Sequence, residues 1–347
     1  MIRCAIGATP PRVTSPSLLP LALTMGDPAG CGPQITAAAW HALKDNPASA
    51  FYVVGWPGLY CGAPTEVIAS PGDAARVFSR ALPVLARGDA RPVTPGKPDP
   101  DTAAGIITSI ETATAHALAG IAGAVVTNPI HKALLYGQGF RFPGHTEFIA
   151  SLCATDGGAA PEPVMMLTGG GLRVALATIH MPYTAVPAAL ADGRLQRIAR
   201  ITAAALTRQF GIPAPRIAFT GLNPHAGEDG TIGREEVEII NPAAAELRNE
   251  GLDISDARPG DTVFAEALGG RFDAVIAMTH DQGLIPVKTL DMWGGVNTTL
   301  GLPIIRTSPD HGTAYDAAAA GTAKADSLIA AIHSAREQAA NWARSPT

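Results

Sequence analysis

The chain of 347 residues has few aromatic side chains, few charges and few cysteines. Phe, Trp and Tyr together make up 5% of the residues and the four charged types 16%, whereas 47% are hydrophobic. A low charged fraction beside a large apolar one excludes an intrinsically disordered chain. The length suffices for one large domain or two ordinary domains with buried cores.

Clustered positive charge and long apolar runs are also missing. The net charge is −5 and no run of Lys or Arg occurs, so we expect no nucleic-acid partner. Gly, Pro or polar residues interrupt every apolar stretch before it reaches membrane-spanning length, so we expect no membrane partner. Residues 1–17 (MIRCAIGATPPRVTSPS) lack the features of a signal peptide. We expect them to be a flexible leader of a cytoplasmic protein.

The four cysteines, Cys4, Cys31, Cys61 and Cys153, are scattered and form no Cys-x-x-Cys pair. This spacing excludes a disulfide framework and favours free thiols in a reducing compartment. None of them lies in a sequence that would activate a thiol for catalysis.

Apolar segments alternate with Ala-rich segments for most of the length, which predicts parallel βαβ units and an α/β fold. The predicted strands cover residues 21–24, 50–54, 122–127, 164–168, 172–178, 216–221, 273–278 and 303–306. The predicted helices cover residues 33–43, 101–118, 195–209, 234–249 and 314–333. The Pro-rich residues 92–101 are predicted to form a surface loop.

Three histidines close short apolar runs at residues 174–180 (VALATIH), 217–225 (IAFTGLNPH) and 273–280 (DAVIAMTH). Ligands of open α/β sheets bind at the carboxyl ends of the strands. His180, His225 and His280 at three such ends match the ligand count of a catalytic metal site with one open position. The alternative for each histidine is a hydrogen-bonded core residue.

Three further segments suit ligand binding, and the first two directly follow predicted strands. In residues 24–33 (TMGDPAGCGP), glycines either bring the backbone close to an anion or only shape a tight strand-to-helix turn. In residues 127–132 (TNPIHK) and 143–148 (PGHTEF), polar side chains lie at the expected crevice and free amides open a helix. Alternatively, Thr146 is a helix N-cap and His145 a surface residue.

Polar residues downstream of His280 suit an anionic ligand. Lys288, Asn297 and Arg306 offer an ammonium, an amide and a guanidinium to a phosphate or carboxylate. Residues 309–316 (PDHGTAYD) open the last predicted helix. This turn either holds an adenosine, with a carboxylate accepting from ribose hydroxyls, or is a helix cap.

Taken together, these segments resemble the 4-hydroxythreonine-4-phosphate dehydrogenase family. The matching stretches run in the family's order through residues 21–332: GDPAGCGP, TNPIHKALL, PGHTEF, LRVALATIHMP, GLNPHAGEDGTIGREE, GDTVF, AMTHDQGLIPVK and GGVNTTLGLPIIRTSPDHGTA. The resemblance implies two α/β/α domains with a cleft between them, related in fold to isocitrate and isopropylmalate dehydrogenases. We expect a first domain, on the cofactor side, of residues 18–142 plus 303–347. The second domain, on the metal and dimer side, would comprise residues 143–302.

The resemblance also implies roles for individual residues. It places His180, His225 and His280 on the divalent-metal ligands. The implied substrate-binding residues are His145, Thr146, Lys288, Asn297 and Arg306. The adenosine of NAD would lie on His311, Gly312, Ala314 and Asp316, and the Asp316 carboxylate would disfavour the 2′-phosphate of NADP. The family forms homodimers whose site lies at the subunit interface, with the metal shared between subunits.

The implied reaction oxidises the C3 hydroxyl of 4-phosphooxy-L-threonine with NAD, in pyridoxal phosphate biosynthesis. The product then loses CO2 to give 3-amino-2-oxopropyl phosphate. The metal would be Zn²⁺, Mg²⁺ or Co²⁺, with the substrate amine or hydroxyl oxygen at its open position. Lys132, His145 and Asp281 are the candidate general bases.

Alternative functions remain. Relatives acting on phosphorylated threonate or erythronate, or on a cis-dihydrodiol dicarboxylate, share these motifs. A metal-dependent lyase would need the histidines but no dinucleotide, and a silent paralogue would only bind small molecules. The sequence departs from the family's pattern at Thr279, where Tyr is usual, and past Asp316. There Ala317, Ala319 and the pair Lys324-Ala325 replace Ile, Gly and Asn-Pro, which puts the affinity for NAD in doubt.

Overall fold

A computed structural model describes residues 19–137, 139–155 and 158–345. The predicted leader and Cys4 lie outside the described residues. The twelve strands described are β1 (Leu21–Thr24), β2 (Phe51–Gly55), β3 (Thr65–Val67), β4 (Leu82–Ala86), β5 (Val125–Val126), β6 (Val164–Gly169), β7 (Leu172–Leu176), β8 (Arg216–Thr220), β9 (Asp253–Arg258), β10 (Ala274–Ala277), β11 (Val296–Leu300) and β12 (Arg306–Pro309).

These strands form one sheet in the order β3-β4-β2-β1-β5-β12-β11-β6-β7-β10-β8-β9. The six strands from β3 to β12 are mutually parallel, as are the four from β7 to β9. The pairs β12–β11, β11–β6 and β6–β7 are antiparallel. The direction therefore changes in the middle of the sheet, and the two parallel sets form its two halves.

The helices connect the strands and cover the sheet. They are α1 (Gly32–Leu43), α2 (Ala74–Phe78), α3 (Ala103–Leu118), α4 (Lys132–Tyr136), α5 (His145–Leu152), α6 (Val186–Leu190), α7 (Arg194–Arg208), α8 (Asn241–Asn249), α9 (Val263–Leu268), α10 (His280–Leu290), α11 (Tyr315–Ala320) and α12 (Asp326–Arg344). A π-helical turn, Glu236–Ile240, precedes α8. No described helix is long and apolar enough to cross a bilayer.

Each half of the sheet is buried on both faces. In the first half, α1 and α12 contribute side chains to the core on one face, and α2, α3 and α5 to the core on the other. In the second half, α6, α7 and α8 cover one face and α9 and α10 the other. This layering explains the continuous apolar strands in the sequence, since a strand covered on both faces needs no polar side. The predicted α/β class is confirmed.

Several predicted elements need correction. The last predicted strand, at 303–306, lies instead at Arg306–Pro309. The predicted helix 314–333 is interrupted after Ala320, where Gly321 has φ of 70°. Four strands, β3, β4, β9 and β11, were not predicted, and the sheet is only partly parallel. The division into two domains stays a prediction.

Candidate active site

A cavity of about 540 Å³ lies where the two halves of the sheet meet. The residues after β5 and β12 line it from the first half, at Thr127–Ile130 and at Asp310–Gly312. The residues after β7 and β10 reach it from the second half as Ile179, His180 and His280. The sheet order thus brings together segments that are far apart in the chain. All five predicted substrate-binding residues line this cavity: His145, Thr146, Lys288, Asn297 and Arg306.

Three of these residues carry buried polar atoms that have no hydrogen-bond partner among the described residues: Nε of Arg306, Oδ1 of Asn297 and Nε2 of His145. Arg306 is 3% exposed. Its other guanidinium nitrogens donate to Thr299 Oγ1 at 2.9 Å and Thr127 Oγ1 at 2.7 Å. Buried polar groups in native proteins are nearly always paired, so unpaired ones facing a cavity indicate a missing polar ligand.

Positive charge dominates the lining of this cavity. Lys132, Arg194, Lys288 and Arg306 contribute cations. The Lys288 ammonium forms an ion pair with the Asp310 carboxylate at 2.8 Å. A second carboxylate of the lining, that of Glu162, forms an ion pair with Arg197 at 2.9 Å. The cavity therefore favours an anionic ligand.

Burial and neighbouring cations shift the pKa values in the cavity. Desolvation, Arg306 and Lys132 hold the pKa of His145 well below its usual value, so its imidazole is neutral near pH 7. Burial lowers the pKa of Arg306 to about 10, opposed by the nearby Glu147 carboxylate, and the guanidinium stays charged at neutral pH. A neutral imidazole beside a charged guanidinium can donate to, or accept from, a bound oxyanion.

His180 and His280 lie side by side at one end of the cavity, with ring centroids 5.3 Å apart. A smaller cavity of about 180 Å³, lined by both histidines and by Tyr183 and Asp281, adjoins at this point. Nδ1 of His280 is hydrogen-bonded to Asp281 at 2.8 Å. Burial, His280 and Lys132 lower the pKa of His180. The two imidazole rings are therefore neighbours at the point where the two cavities adjoin.

His225 does not line this cavity. It lies in the turn Pro224–Gly230 beyond β8, and its side chain is 64% exposed. Its Nδ1 is hydrogen-bonded to Glu228 at 2.7 Å, and this bond raises the pKa of His225. Among residues 19–137, 139–155 and 158–345, no group of three His, Cys, Asp or Glu side chains is arranged to hold a metal ion. The metal ligand set stays a prediction.

The segment predicted to hold the adenosine borders the cavity through His311 and Gly312. Ala314 has φ of 45°, and Asp316 is exposed in the first turn of α11. The Gly-rich turn 26–32 packs against this segment: Cys31 N donates to Thr313 O at 2.8 Å, and a Cβ on Gly30 would lie 2.9 Å from the same oxygen. In this structure the glycines of residues 26–32 allow this turn to pack closely against the 311–316 turn.

Two of the three candidate general bases lie in the cavity. Lys132 and His145 line the cavity, whereas Asp281 is exposed and bonded to His280 and to Tyr183. The alternative that Thr146 is an N-cap does not hold, because α5 begins at His145 with Gly144 before it.

Some lining residues were not assigned a role from the sequence. Asn128 is fully buried and donates to Thr24 O and Thr36 Oγ1, and its Oδ1 has no partner in the part of the chain that the structure describes. Arg194 begins α7 and donates through Nε to Ala177 O at 2.8 Å. Asn128 and Glu147 lie within the TNPIHK and PGHTEF segments, which could have suggested them. Nothing in the local sequence distinguishes Arg194 from other helical arginines.

The fold and the cavity define an α/β protein with a cation-lined cavity between the two halves of one sheet. A family model described as pyridoxal phosphate biosynthetic protein PdxA matches residues 58–335. The chain belongs to this family, as the sequence motifs predicted.

Similar proteins extend this comparison. The 4-hydroxythreonine-4-phosphate dehydrogenase of Caulobacter vibrioides is 50% identical over 327 residues, which cover 92% of this chain and 98% of that protein. A crystal structure of the Klebsiella pneumoniae enzyme of the same name is 37% identical, with a TM-score of 0.82, and covers 92% and 99% of the two chains. A terephthalate 1,2-cis-dihydrodiol dehydrogenase from Burkholderia xenovorans is 27% identical, with a TM-score of 0.63, and covers 92% and 98%.

Proposed function

We propose that this chain is an NAD-dependent and divalent-metal-dependent dehydrogenase of 4-phosphooxy-L-threonine. It oxidises the C3 hydroxyl, and the β-keto acid formed loses CO2 to give 3-amino-2-oxopropyl phosphate. The observation that carries the proposal is the cation-lined cavity with unpaired atoms on Arg306, Asn297 and His145. The 50% identical relative of the same name supports the choice of substrate.

The charge of the cavity matches that of the proposed substrate. Lys288 and Asp310 neutralise each other, and Glu162 pairs with Arg197. The remaining charged residues of the lining are the cations Lys132, Arg194 and Arg306 and the carboxylate of Glu147, which has no ion pair within the described chain. Three cations and one carboxylate leave a surplus of about two positive charges, and a phosphorylated hydroxy-amino acid carries about two negative charges near neutral pH. Arg306, Asn297, His145 and Thr146 bind and orient the anionic groups, and Lys288 lies beside them.

The donors of the proposed metal site fit a divalent transition metal. The Asp281 carboxylate is hydrogen-bonded to Nδ1 of His280, and the Glu228 carboxylate to Nδ1 of His225. These bonds use only one nitrogen of each ring, so Nε2 would be the atom that coordinates the metal. A carboxylate in that position is the usual orienting partner of a metal-bound histidine. Bound there with His180, the ion would lower the pKa of the substrate hydroxyl and stabilise the enolate left by decarboxylation. Zn²⁺ or Co²⁺ suits nitrogen ligands better than Mg²⁺ does.

His225 would reach this site from a second copy of the chain. It points to solvent, whereas His180 and His280 share one cavity. Large apolar side chains also lie exposed on α10 and just after it, at Ile285, Leu290, Met292 and Trp293. An exposed apolar surface of this kind typically marks a protein interface. A homodimer with the site at the interface accounts for both features.

The turn 311–316 is the proposed adenosine site. It opens on the cavity through His311 and Gly312, and the Asp316 carboxylate is exposed, where it could accept hydrogen bonds from ribose hydroxyls. NAD bound there would accept the hydride from C3. Lys132 and His145 are the candidates to take the hydroxyl proton, because they line the cavity whereas Asp281 bonds to His280.

A dehydrogenase of another hydroxy acid or of a cis-dihydrodiol is the second candidate. The 27% identical terephthalate 1,2-cis-dihydrodiol dehydrogenase favours keeping it, because that structure covers 92% of this chain.

One assay separates these functions. Purified protein of defined metal content is incubated with 4-phosphooxy-L-threonine, phosphorylated threonate or a cis-dihydrodiol dicarboxylate, with and without NAD. We expect reduced NAD and CO2 to form from the first substrate only. Product without NAD would indicate a lyase, and reduction of NAD by another substrate alone would refute the proposed specificity.

A further inference from the structure

His225 is held in an unusual backbone conformation. Five consecutive residues, from His225 to Asp229, have φ between 43° and 79°, and only Gly227 among them is a glycine. Side chains other than glycine rarely adopt this left-handed region, so the surrounding structure must hold the turn in place. The longer segment that contains these five residues, residues 221–230, is called the His225 loop below.

The buried side chain of Glu236 is the centre around which the His225 loop folds. Glu236 is 1% exposed. Its Oε1 accepts the backbone N–H groups of Leu222 at 2.8 Å and Asn223 at 2.7 Å. Its Oε2 accepts the Asn223 side-chain amide at 2.9 Å. The carboxylate therefore receives three hydrogen bonds, all from the beginning of the loop.

The loop approaches this carboxylate so closely that glycine is required. A Cβ on Gly227 would lie 2.6 Å from Glu236 Oε2, and one on Gly221 would lie 3.1 Å from Oε1. The loop thus packs against both carboxylate oxygens of Glu236, with residues on either side of His225 close to them. Glu236 also begins the π-helical turn Glu236–Ile240. Such turns occur frequently at functional sites.

We propose that Glu236 is a positioning residue for metal binding. Its carboxylate holds the His225 loop in the left-handed conformation that presents the imidazole at the surface. A buried carboxylate is costly without hydrogen-bond donors, and the loop supplies them. Without the carboxylate the loop would sample other conformations, and the apparent metal affinity would fall in proportion to the fraction of time that His225 stays correctly placed. This inference rests on the proposed metal-binding role of His225.

The test compares Glu236→Gln with the wild-type chain and with Glu238→Gln. Glu238 lies on the same π-helical turn, but its carboxylate pairs with Arg234, and no side-chain bond from it to residues 221–230 occurs among the described residues, so it is a matched control. Metal-free proteins are titrated with Co²⁺, and binding is followed by its visible absorption and by calorimetry. Glu236→Gln should bind Co²⁺ at least about tenfold more weakly. Glu238→Gln should bind like the wild type.

A second measurement separates positioning from general destabilisation. Amide hydrogen exchange should accelerate in residues 222–230 of metal-free Glu236→Gln and stay unchanged in the strands of the sheet. Turnover of this variant should recover as the Co²⁺ concentration is raised. If Glu236→Gln does not fold, Glu236→Asp, whose carboxylate is one methylene too short for these bonds, takes its place.

Unchanged Co²⁺ affinity in a variant whose loop amides exchange faster would overturn the proposal. Unchanged exchange in the loop would overturn it as well, because the carboxylate would then not hold the loop. If the wild-type chain itself bound no Co²⁺, the proposed function would fail, and the exchange measurement would still decide whether Glu236 orders the loop.

Discussion

Arg306 joins two strand segments by hydrogen bonds and also lines the cavity. Its hydrogen bonds to Thr299 and Thr127 fix the guanidinium between β11 and the end of β5. The Nε–H has no partner among the described residues and is available to a ligand. A lysine at this position could keep the charge but could not reproduce the planar set of donors.

Replacing Arg306 with Lys should lower kcat/KM for 4-phosphooxy-L-threonine by about 10- to 100-fold. Hydrogen bonds to charged groups contribute about 1.5–3 kcal/mol, which corresponds to that range. The KM for NAD should stay within about twofold of the wild-type value, because the hydrogen bonds of Arg306 go to Thr299 and Thr127 and not to the proposed adenosine turn. Steady-state kinetics with each substrate varied in turn measure both constants. An unchanged KM and kcat for the phosphorylated substrate would remove Arg306 from the site.

His145 should make the protein less stable in mild acid. Its pKa in the folded protein lies well below that of an unfolded histidine, about 6.5. As the pH falls below that value, the unfolded chain takes up a proton that the folded chain does not. The free energy of unfolding then decreases by up to about 1.4 kcal/mol per pH unit, until the lowered folded pKa is reached.

The measurement is urea unfolding of wild type and His145→Gln at about pH 7.5 and about pH 5.5. The variant should lose less stability between these two values, by about 1 kcal/mol, because it lacks the titrating group. The comparison removes the contributions of the other histidines. An identical loss in both proteins would show that burial does not shift the pKa of His145.

At the scale of elements, the close packing of α10 on the sheet depends on Gly283. A Cβ on Gly283 would lie 2.4 Å from Leu176 Cδ2 and 3.1 Å from both Val174 Cγ1 and Ala277 Cβ. The helix thus packs directly on β7 and β10. This contact sets the position of His280, its first residue, relative to His180 beyond β7.

Gly283→Ala should therefore destabilise the protein by about 1–3 kcal/mol, the usual cost of overpacking a core. It should also weaken Co²⁺ binding, because moving α10 away from the sheet displaces His280. Urea unfolding and Co²⁺ titration measure the two effects. Gly58→Ala serves as the control, since the added methyl group would have no described atom within 4 Å apart from those of its own residue and its two chain neighbours. If Gly283→Ala matched this control in stability, the close packing of α10 would be refuted.

At the scale of the whole molecule, the proposed site needs two chains. His180 and His280 would come from one protomer and His225 from its partner. Single substitutions in either group, such as His225→Ala or His180→Ala, should abolish turnover and leave the fold intact. The structure of the described residues supports this division of the histidines between two chains, because the side chain of His225 is exposed and does not line the cavity that His180 and His280 share.

Mixing the two inactive variants offers a direct test of this sharing. In a hybrid dimer of His225→Ala and His180→Ala, one site has both substitutions and the other has none. Random exchange of subunits should restore about a quarter of the wild-type activity, because about half of the dimers are hybrids with one intact site each. Activity is measured after the subunits are unfolded and refolded together. No recovery, with hybrids demonstrated by mass spectrometry, would place all three histidines of a site on one chain.

The amino-acid sequence by itself determined the class of fold and most residues of the cavity. Apolar runs such as residues 174–178 reveal buried strands because both faces of the sheet are covered. The segments around Asn128, His145 and Lys288 were identified because polar residues that follow buried strands or open helices collect at one crevice. The resemblance to a family assigned roles that spacing alone could not.

Only the tertiary structure decided how the segments meet. The reversal of direction at β11, β6 and β7 depends on pairing between distant strands, which no local pattern encodes. The break at Gly321 was missed because an Ala-rich run predicts a continuous helix, whereas a left-handed glycine ends it. His225 follows an apolar run just as His180 does, yet a left-handed turn fixed by the buried Glu236 directs it to solvent. Backbone handedness and burial arise from packing, and packing is a property of the folded chain.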